Sequence, residues 1–159
     1  MSLTVNLRHL EAHEIRLKGE LSPAELDLDT RDEMIRVASP VRYELEIEKL
    51  DDAILIQGEL AVDLDCECVR CLKPFTRKLE LNPWTLHLPL EGEEKATVDN
   101  DCVDLTPFVR EDILLEFPQH PLCKPDCRGL EKTSTGNAKT GGESKIASPA
   151  WTGLNKLKL

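Results

Sequence analysis

The sequence predicts an α+β fold that is mainly β: a twisted antiparallel sheet or partial barrel with one packed helix and a flexible C-terminal tail. Three observations carry this expectation. Apolar and polar residues alternate strictly from Val41 to Glu48, and the alternation resumes from Ile54 to Asp65, which is the period of a half-buried strand. Val109, Ile113 and Phe117 recur at i, i+4 and i+8 behind Thr106-Pro107, the stripe and start signal of one amphipathic helix. From Glu131 to Ser148 the composition turns to Gly, Ser, Thr, Lys and Asn, too polar to offset chain entropy by burial.

Taken in chain order, Leu3 to Leu7 and Ile15 to Leu21 read as strands, and Ser22-Pro23-Ala24-Glu25 has capping-box spacing with Pro at the first helical position, predicting a short helical turn. Val41, Tyr43, Leu45 and Ile47 share one parity and Arg42, Glu44, Glu46 and Glu48 the other, so one face is core and the other water. Asp51-Asp52 interrupts the pattern before Ile54, Ile56, Leu60, Val62 and Leu64 resume it, as in a long hairpin. The same parity places Cys66 and Cys68 inward, with Cys71 just beyond in a turn. A further strand from Phe75 through Leu79 and Leu81 changes parity across Asn82-Pro83 to Trp84, Leu86, Leu88 and Leu90, which suggests a bulge or an edge position. An acidic connection from Glu91 to Asp101 leads to the helix, which Pro118 ends. Ser148-Pro149 has the form of a cap for a last short helix carrying Trp151, Leu154 and Leu157. The expected organisation is a single domain over 1–130, a linker over 131–148 and a short helix or docking tail over 149–159.

A chain of 159 residues suits one core. Its aromatic content of 4% disfavours a ring-lined pocket for a small-molecule substrate. Residues 1–123 carry 27 acidic against 13 basic residues, whereas 124–159 carry 3 against 7. An acidic body repels a phosphate backbone over about one Debye length, ~8 Å at physiological salt, so a basic protein partner suits it better. The start Met-Ser-Leu-Thr-Val is not a signal peptide, and no stretch approaches the roughly 18 apolar residues of a membrane span. The expectation is a soluble, cytoplasmic protein with no membrane partner, whose six cysteines are reduced, so that clustered thiols read as metal ligands.

Cys68-Val69-Arg70-Cys71 is a CxxC and Cys123-Lys124-Pro125-Asp126-Cys127 a CxxxC. Two such pairs on tight turns can make a tetrahedral zinc–thiolate site, although about 52 residues separate them, more than in compact zinc ribbons. A redox CxxC is the competing chemistry; Cys68 ends a strand and opens no helix, so no helix N-terminus activates it. Cys66 and Cys102 have no partner at ligand spacing and read as small buried apolar side chains. Arg70, Lys73, Arg77, Lys78, Lys124 and Arg128 flank the two pairs. They are either an RNA-binding patch or a solvated face balanced by Glu80 and Asp126. His9, His13, His87 and His120 are scattered, and no HExxH, GxSxG, phosphate-binding loop or dinucleotide fingerprint is present, so the expected protein is not an enzyme.

With these residues assembled, the chain resembles the YceD family. The carriers are Cys68-Val69-Arg70-Cys71-Leu72-Lys73-Pro74-Phe75, Asp104-Leu105-Thr106-Pro107 through Arg110-Glu111-Asp112-Ile113-Leu114-Leu115, and Pro121-Leu122-Cys123 through Cys127-Arg128-Gly129-Leu130. The resemblance runs from about Ser22 to Leu130 and resumes at Pro149 to Leu159. It implies a ribosome-biogenesis role: accumulation of large-subunit (23S) ribosomal RNA, with that RNA, its precursor or a basic large-subunit ribosomal protein as partner. Where many members carry a further cysteine pair after the Gly-Leu, this chain has Glu131 and Ser134. A four-thiolate site therefore falls to Cys68, Cys71, Cys123 and Cys127. The alternatives are a zinc-dependent nucleic-acid-binding module and a CxxC thiol oxidoreductase. In the mechanism the sequence suggests, Glu44, Glu46, Glu48 and Glu59 shield a basic ribosomal protein while the cysteine-rich end meets RNA.

Overall fold

The computed structural model describes residues 2–29 and 32–130; the expected linker and terminal helix lie outside them. The chain forms β1 (Thr4–Asn6), α1 (Leu7–Leu10), β2 (Ile15–Leu21), β3 (Ile35–Val37), β4 (Val41–Lys49), β5 (Ala53–Glu67), β6 (Pro74–Pro89), β7 (Val98–Asp99), β8 (Cys102–Asp104) and α2 (Thr106–Leu115). Strands β2, β4 and β5 run side by side, with β6 on the far edge of β5 and β3 beside the C-terminal part of β5. Strands β1, β8 and β7 make a small second sheet. All pairings are antiparallel, so the predicted mainly β, curled antiparallel sheet is what forms.

Alternation decides what is buried. Val41, Leu45 and Ile47 of β4 and Ile54, Ile56, Leu60, Val62, Leu64 and Cys66 of β5 are buried on one face. They join Val5 and Val103 of the small sheet and Leu105, Val109 and Ile113 at α2 in a single cluster. Covering one sheet face with a helix and a second small sheet removes apolar surface from water, the dominant favourable term in folding.

The departures from expectation are local. The strand expected over Leu3 to Leu7 stops at Asn6, whose side chain accepts the Arg8 N–H and caps α1, while the Leu7 N–H donates to the Asp101 carbonyl. The turn at Ser22 forms as a capping box: Glu25 accepts from the Ser22 N–H at 2.7 Å and the Ser22 hydroxyl accepts from the Glu25 N–H at 3.3 Å. Helix α2 begins at Thr106, but Thr106 is not its cap. Leu105 holds the N-cap position, and the Thr106 hydroxyl instead accepts the Leu3 N–H at 2.9 Å, tying the N-terminus to the helix.

The parity change at Asn82-Pro83 is a bulge. Gly58 pairs with Trp84 and Leu60 with Leu81, so two residues of β6 oppose Glu59 alone. The Asn82–Pro83 bond is cis. Proline has no N–H for a ladder, and the Asn82 side chain donates to Glu59 at 3.0 Å across the gap. The extra residue turns Trp84 to the core side, where its indole N–H reaches Asp112 of α2 at 2.6 Å. A bond from a buried indole to a carboxylate contributes about 1.5–3 kcal/mol. Trp84→Phe is therefore expected to lower unfolding stability by about 2 kcal/mol in urea titration, with the slope unchanged.

The outward face of the sheet is laddered with charge. Arg16 faces Glu46 and Lys18 faces Glu44 in the β2–β4 register, with ion pairs of 2.8 and 2.7 Å, and the Arg16 guanidinium holds the Glu46 carboxyl below its ordinary range. Two of the four carboxylates that the sequence offered as an open acidic face are thus already occupied by cations of the neighbouring strand.

Candidate metal centre

The two cysteine pairs, 52 residues apart in sequence, meet at one end of the sheet. Cys68 to Lys73 is the loop of the β5–β6 hairpin, closed by Cys68 N–H to Lys73 O at 3.0 Å and Leu72 N–H to Cys68 O at 2.8 Å. Leu72 takes the left-handed conformation (φ 59°), which lets the chain reverse directly after Cys71. The second loop follows α2 and is closed by Cys127 N–H to Lys124 O at 3.1 Å.

Two hydrogen bonds lock the loops together. The Val69 N–H donates to the Pro121 carbonyl at 3.0 Å, and Arg70 Nη1 donates to the Cys127 carbonyl at 2.9 Å. Arg70, expected among RNA contacts, is thus turned onto the second loop. Arg70→Ala is expected to weaken metal retention about tenfold in competition with a chelator, while Arg70→Lys, which cannot present the planar fork, restores it only in part. Unchanged metal retention in Arg70→Ala would remove this role.

The sulfur atoms of Cys68, Cys71, Cys123 and Cys127 all lie within 4.8 Å of one another. Two close separations cross between the loops: Cys68 to Cys127 at 3.7 Å and Cys71 to Cys123 at 3.6 Å. A tetrahedron of thiolates ~2.3 Å from zinc has edges of about 3.8 Å, so the four sulfurs lie close to the spacing of that ligand set. It is the one group of Cys, His, Asp and Glu ligand atoms converging in this way among the described residues. Cys68 and Cys71 are buried, Cys123 and Cys127 half-buried.

The charge state of the thiols fits a cation. Amide groups of Cys123, Cys71 and Arg70 point at the Cys68 sulfur and lower its pKa to about 6. The Cys123 thiol is pushed up to about 12, first by its hydrogen bond to Cys71 and then by desolvation. Four clustered sulfurs do not all ionise without a positive ion between them. Cys66 faces the core instead, where burial raises its thiol. Cys102 pairs with Asn6 in the small sheet and is half-buried, less enclosed than the sequence suggested.

The six basic positions are all exposed and differ in their partners. Lys78 lies on the outward face and pairs with Glu80. Arg77 has the opposite parity, where its charge acts on Cys66. Arg70 clamps the loops. Lys73, Lys124 and Arg128 remain as exposed cations flanking the cysteine loops. The Pro121 carbonyl and the amides around Cys68 are structural parts of the site that the sequence reading missed; only the CxxC turn itself hinted at them.

The family model described as "Large ribosomal RNA subunit accumulation protein YceD" matches residues 56–158. The match takes in all four clustered cysteines and all six basic positions, starts later than the resemblance read from Ser22, and extends through the C-terminal segment. No curated protein and no solved structure matches.

Proposed function

The chain belongs to the YceD family of large ribosomal RNA subunit accumulation proteins, and from that premise we propose that it is a non-catalytic ribosome-biogenesis factor. In this reading it acts in the cytoplasm on precursor or mature large-subunit RNA, a basic large-subunit ribosomal protein, or both. The observation that carries the reading is the family match. The four-thiolate cluster adds how the cysteine end is built: Cys68, Cys71, Cys123 and Cys127 would hold zinc, and zinc would supply a structural cross-link between the two loops. The residues do the rest. Arg70 and the Val69 amide set the loops at the right separation, and the loops carry Lys73, Lys124 and Arg128 outward. Lys73, Lys124 and Arg128 are exposed cations on or beside these loops.

The shielding half of the mechanism narrows. Glu44 and Glu46 are paired with Lys18 and Arg16, so a basic protein partner would have to use carboxylates outside those pairs. A redox CxxC is the weaker reading, because Cys68 is fully buried and no substrate disulfide reaches it.

The test is deletion of the gene with measurement of mature large-subunit RNA and subunit profiles. Reduced large-subunit RNA, restored by the wild-type gene, is expected; normal levels and profiles would refute the reading. For direct RNA binding, neutralising Lys73, Lys124 and Arg128 together should lessen the slope of log affinity against log salt by roughly 2 to 3, at about 0.7–0.9 for each phosphate no longer neutralised.

A further inference from the structure

We propose that the cysteine cluster is also a redox switch, in which a hydroperoxide converts the four thiolates into two disulfides joining the loops, Cys68 to Cys127 and Cys71 to Cys123, and so releases the metal. The proposal rests on the reading of the cluster as a zinc site and adds a regulation to it.

Distance points to this pairing, and access speaks against pairing within a loop. The two cross-loop separations, 3.7 and 3.6 Å, involve different cysteines, so both bonds can form at once. Each pair must close to the ~2.05 Å of a disulfide, a displacement of under about 1 Å per sulfur. Each cross-loop pair joins one buried sulfur, Cys68 or Cys71, to one half-buried sulfur, Cys127 or Cys123. Pairing within a loop would instead join the two buried sulfurs to each other and leave the two accessible ones together.

That division gives each pair an attacking and a resolving partner. The Cys127 thiolate attacks the outer oxygen of the hydroperoxide; the O–O bond breaks, Cys127 becomes a sulfenic acid, and an alkoxide or hydroxide leaves. The Cys68 thiolate then attacks the Cys127 sulfur, the S–S bond forms and hydroxide departs. Cys123 and Cys71 repeat the sequence. Two equivalents of hydroperoxide are reduced, four thiolates are oxidised to two disulfides, and zinc is lost because no thiolate ligand remains. The Arg70 and Val69 hydrogen bonds hold the loops in place throughout, so the oxidised end keeps its shape while giving up its ion. Cys66, buried in the core, and Cys102, in the other sheet, lie outside the cluster and stay as thiols.

The experiment is titration of the full-length protein, as purified, with hydrogen peroxide. Released zinc is read with a chromogenic chelator, and disulfides are mapped by mass spectrometry of non-reduced peptides. Expected are one zinc released per two peroxide consumed, peptides joined as Cys68–Cys127 and Cys71–Cys123, and zinc uptake restored by a dithiol. The double variant Cys71→Ser/Cys123→Ser should still close Cys68–Cys127, which tests the pairing even where metal binding is lost. Disulfides within the loops, or oxidation to sulfinic acid without cross-linking, would overturn the switch. Protein that purifies without zinc but closes the two cross-loop disulfides would refute the zinc reading and leave the redox pairing standing.

Discussion

Replacing Cys68 by Ser should abolish stoichiometric zinc and destabilise the cysteine end by on the order of 3–5 kcal/mol, a fraction of the ~10–16 kcal/mol that a complete structural zinc site supplies in small zinc-finger peptides. The fraction is smaller here because the sheet has its own core, and Ile54, Ile56, Leu60 and Ile113 stay buried whether or not the loops are cross-linked. Cys68 is the most demanding of the four to replace. It is fully buried, and amides of Cys123, Cys71 and Arg70 converge on its sulfur; a neutral hydroxyl accepts those bonds more weakly than a thiolate. Metal analysis and thermal unfolding check the expectation, with Cys102→Ser as the comparison because Cys102 lies outside the cluster. Zinc retained in Cys68→Ser, or lost equally in Cys102→Ser, would show that the four sulfurs are not the site. Lowering the pH should release the ion, since protons compete for thiolates.

The second large effect is expected far from the cysteines, at Gly58. A Cβ there would lie 2.1 Å from the Glu44 carbonyl oxygen and 2.9 Å from Leu45 Cα. Both are backbone atoms of β4, which faces Gly58 through Leu45 in the β4–β5 register, so no side chain can swing aside. Gly58 also borders the β6 bulge, where the register is already displaced. Gly58→Ala must push β4 away from β5, and a cost of about 3 kcal/mol or more is expected, at or above the upper end for overpacking. Gly19→Ala provides the contrast. Its Cβ would meet the Tyr43 hydroxyl at 2.7 Å, the far end of a side chain that can move, and a loss below about 1 kcal/mol is expected. Urea titration of both variants decides the matter: equal, small losses would mean that the sheet yields at Gly58 as easily as a tyrosine tip does.

Much of this molecule is legible in its residues. The parity of Val41 to Ile47 and of Ile54 to Cys66, the change of face at Pro83, the turn at Ser22 and the stripe of α2 all follow from the sequence, because each depends on pleat, helical period or turn chemistry within a few positions. The four cysteines stand out as well, since CxxC and CxxxC are local signatures of a turn that presents two sulfurs.

What no local pattern contains is partnership. That Glu46 meets Arg16 and Glu44 meets Lys18 depends on the β2–β4 register. That Arg70 reaches the Cys127 carbonyl, and so serves the metal loops, depends on an approach across 57 residues. Gly58 is an ordinary position in an alternating strand until the backbone of β4 is laid against it. The face that each side chain takes, and the residue types able to do chemistry, follow from the dihedral period of one segment and are written in the chain. Which charges are already neutralised, which cation is turned onto the cysteine loops and that the four sulfurs meet are set by long-range packing. Those are properties of atoms brought within a few ångströms of each other by the fold, and distance along the chain carries no record of them.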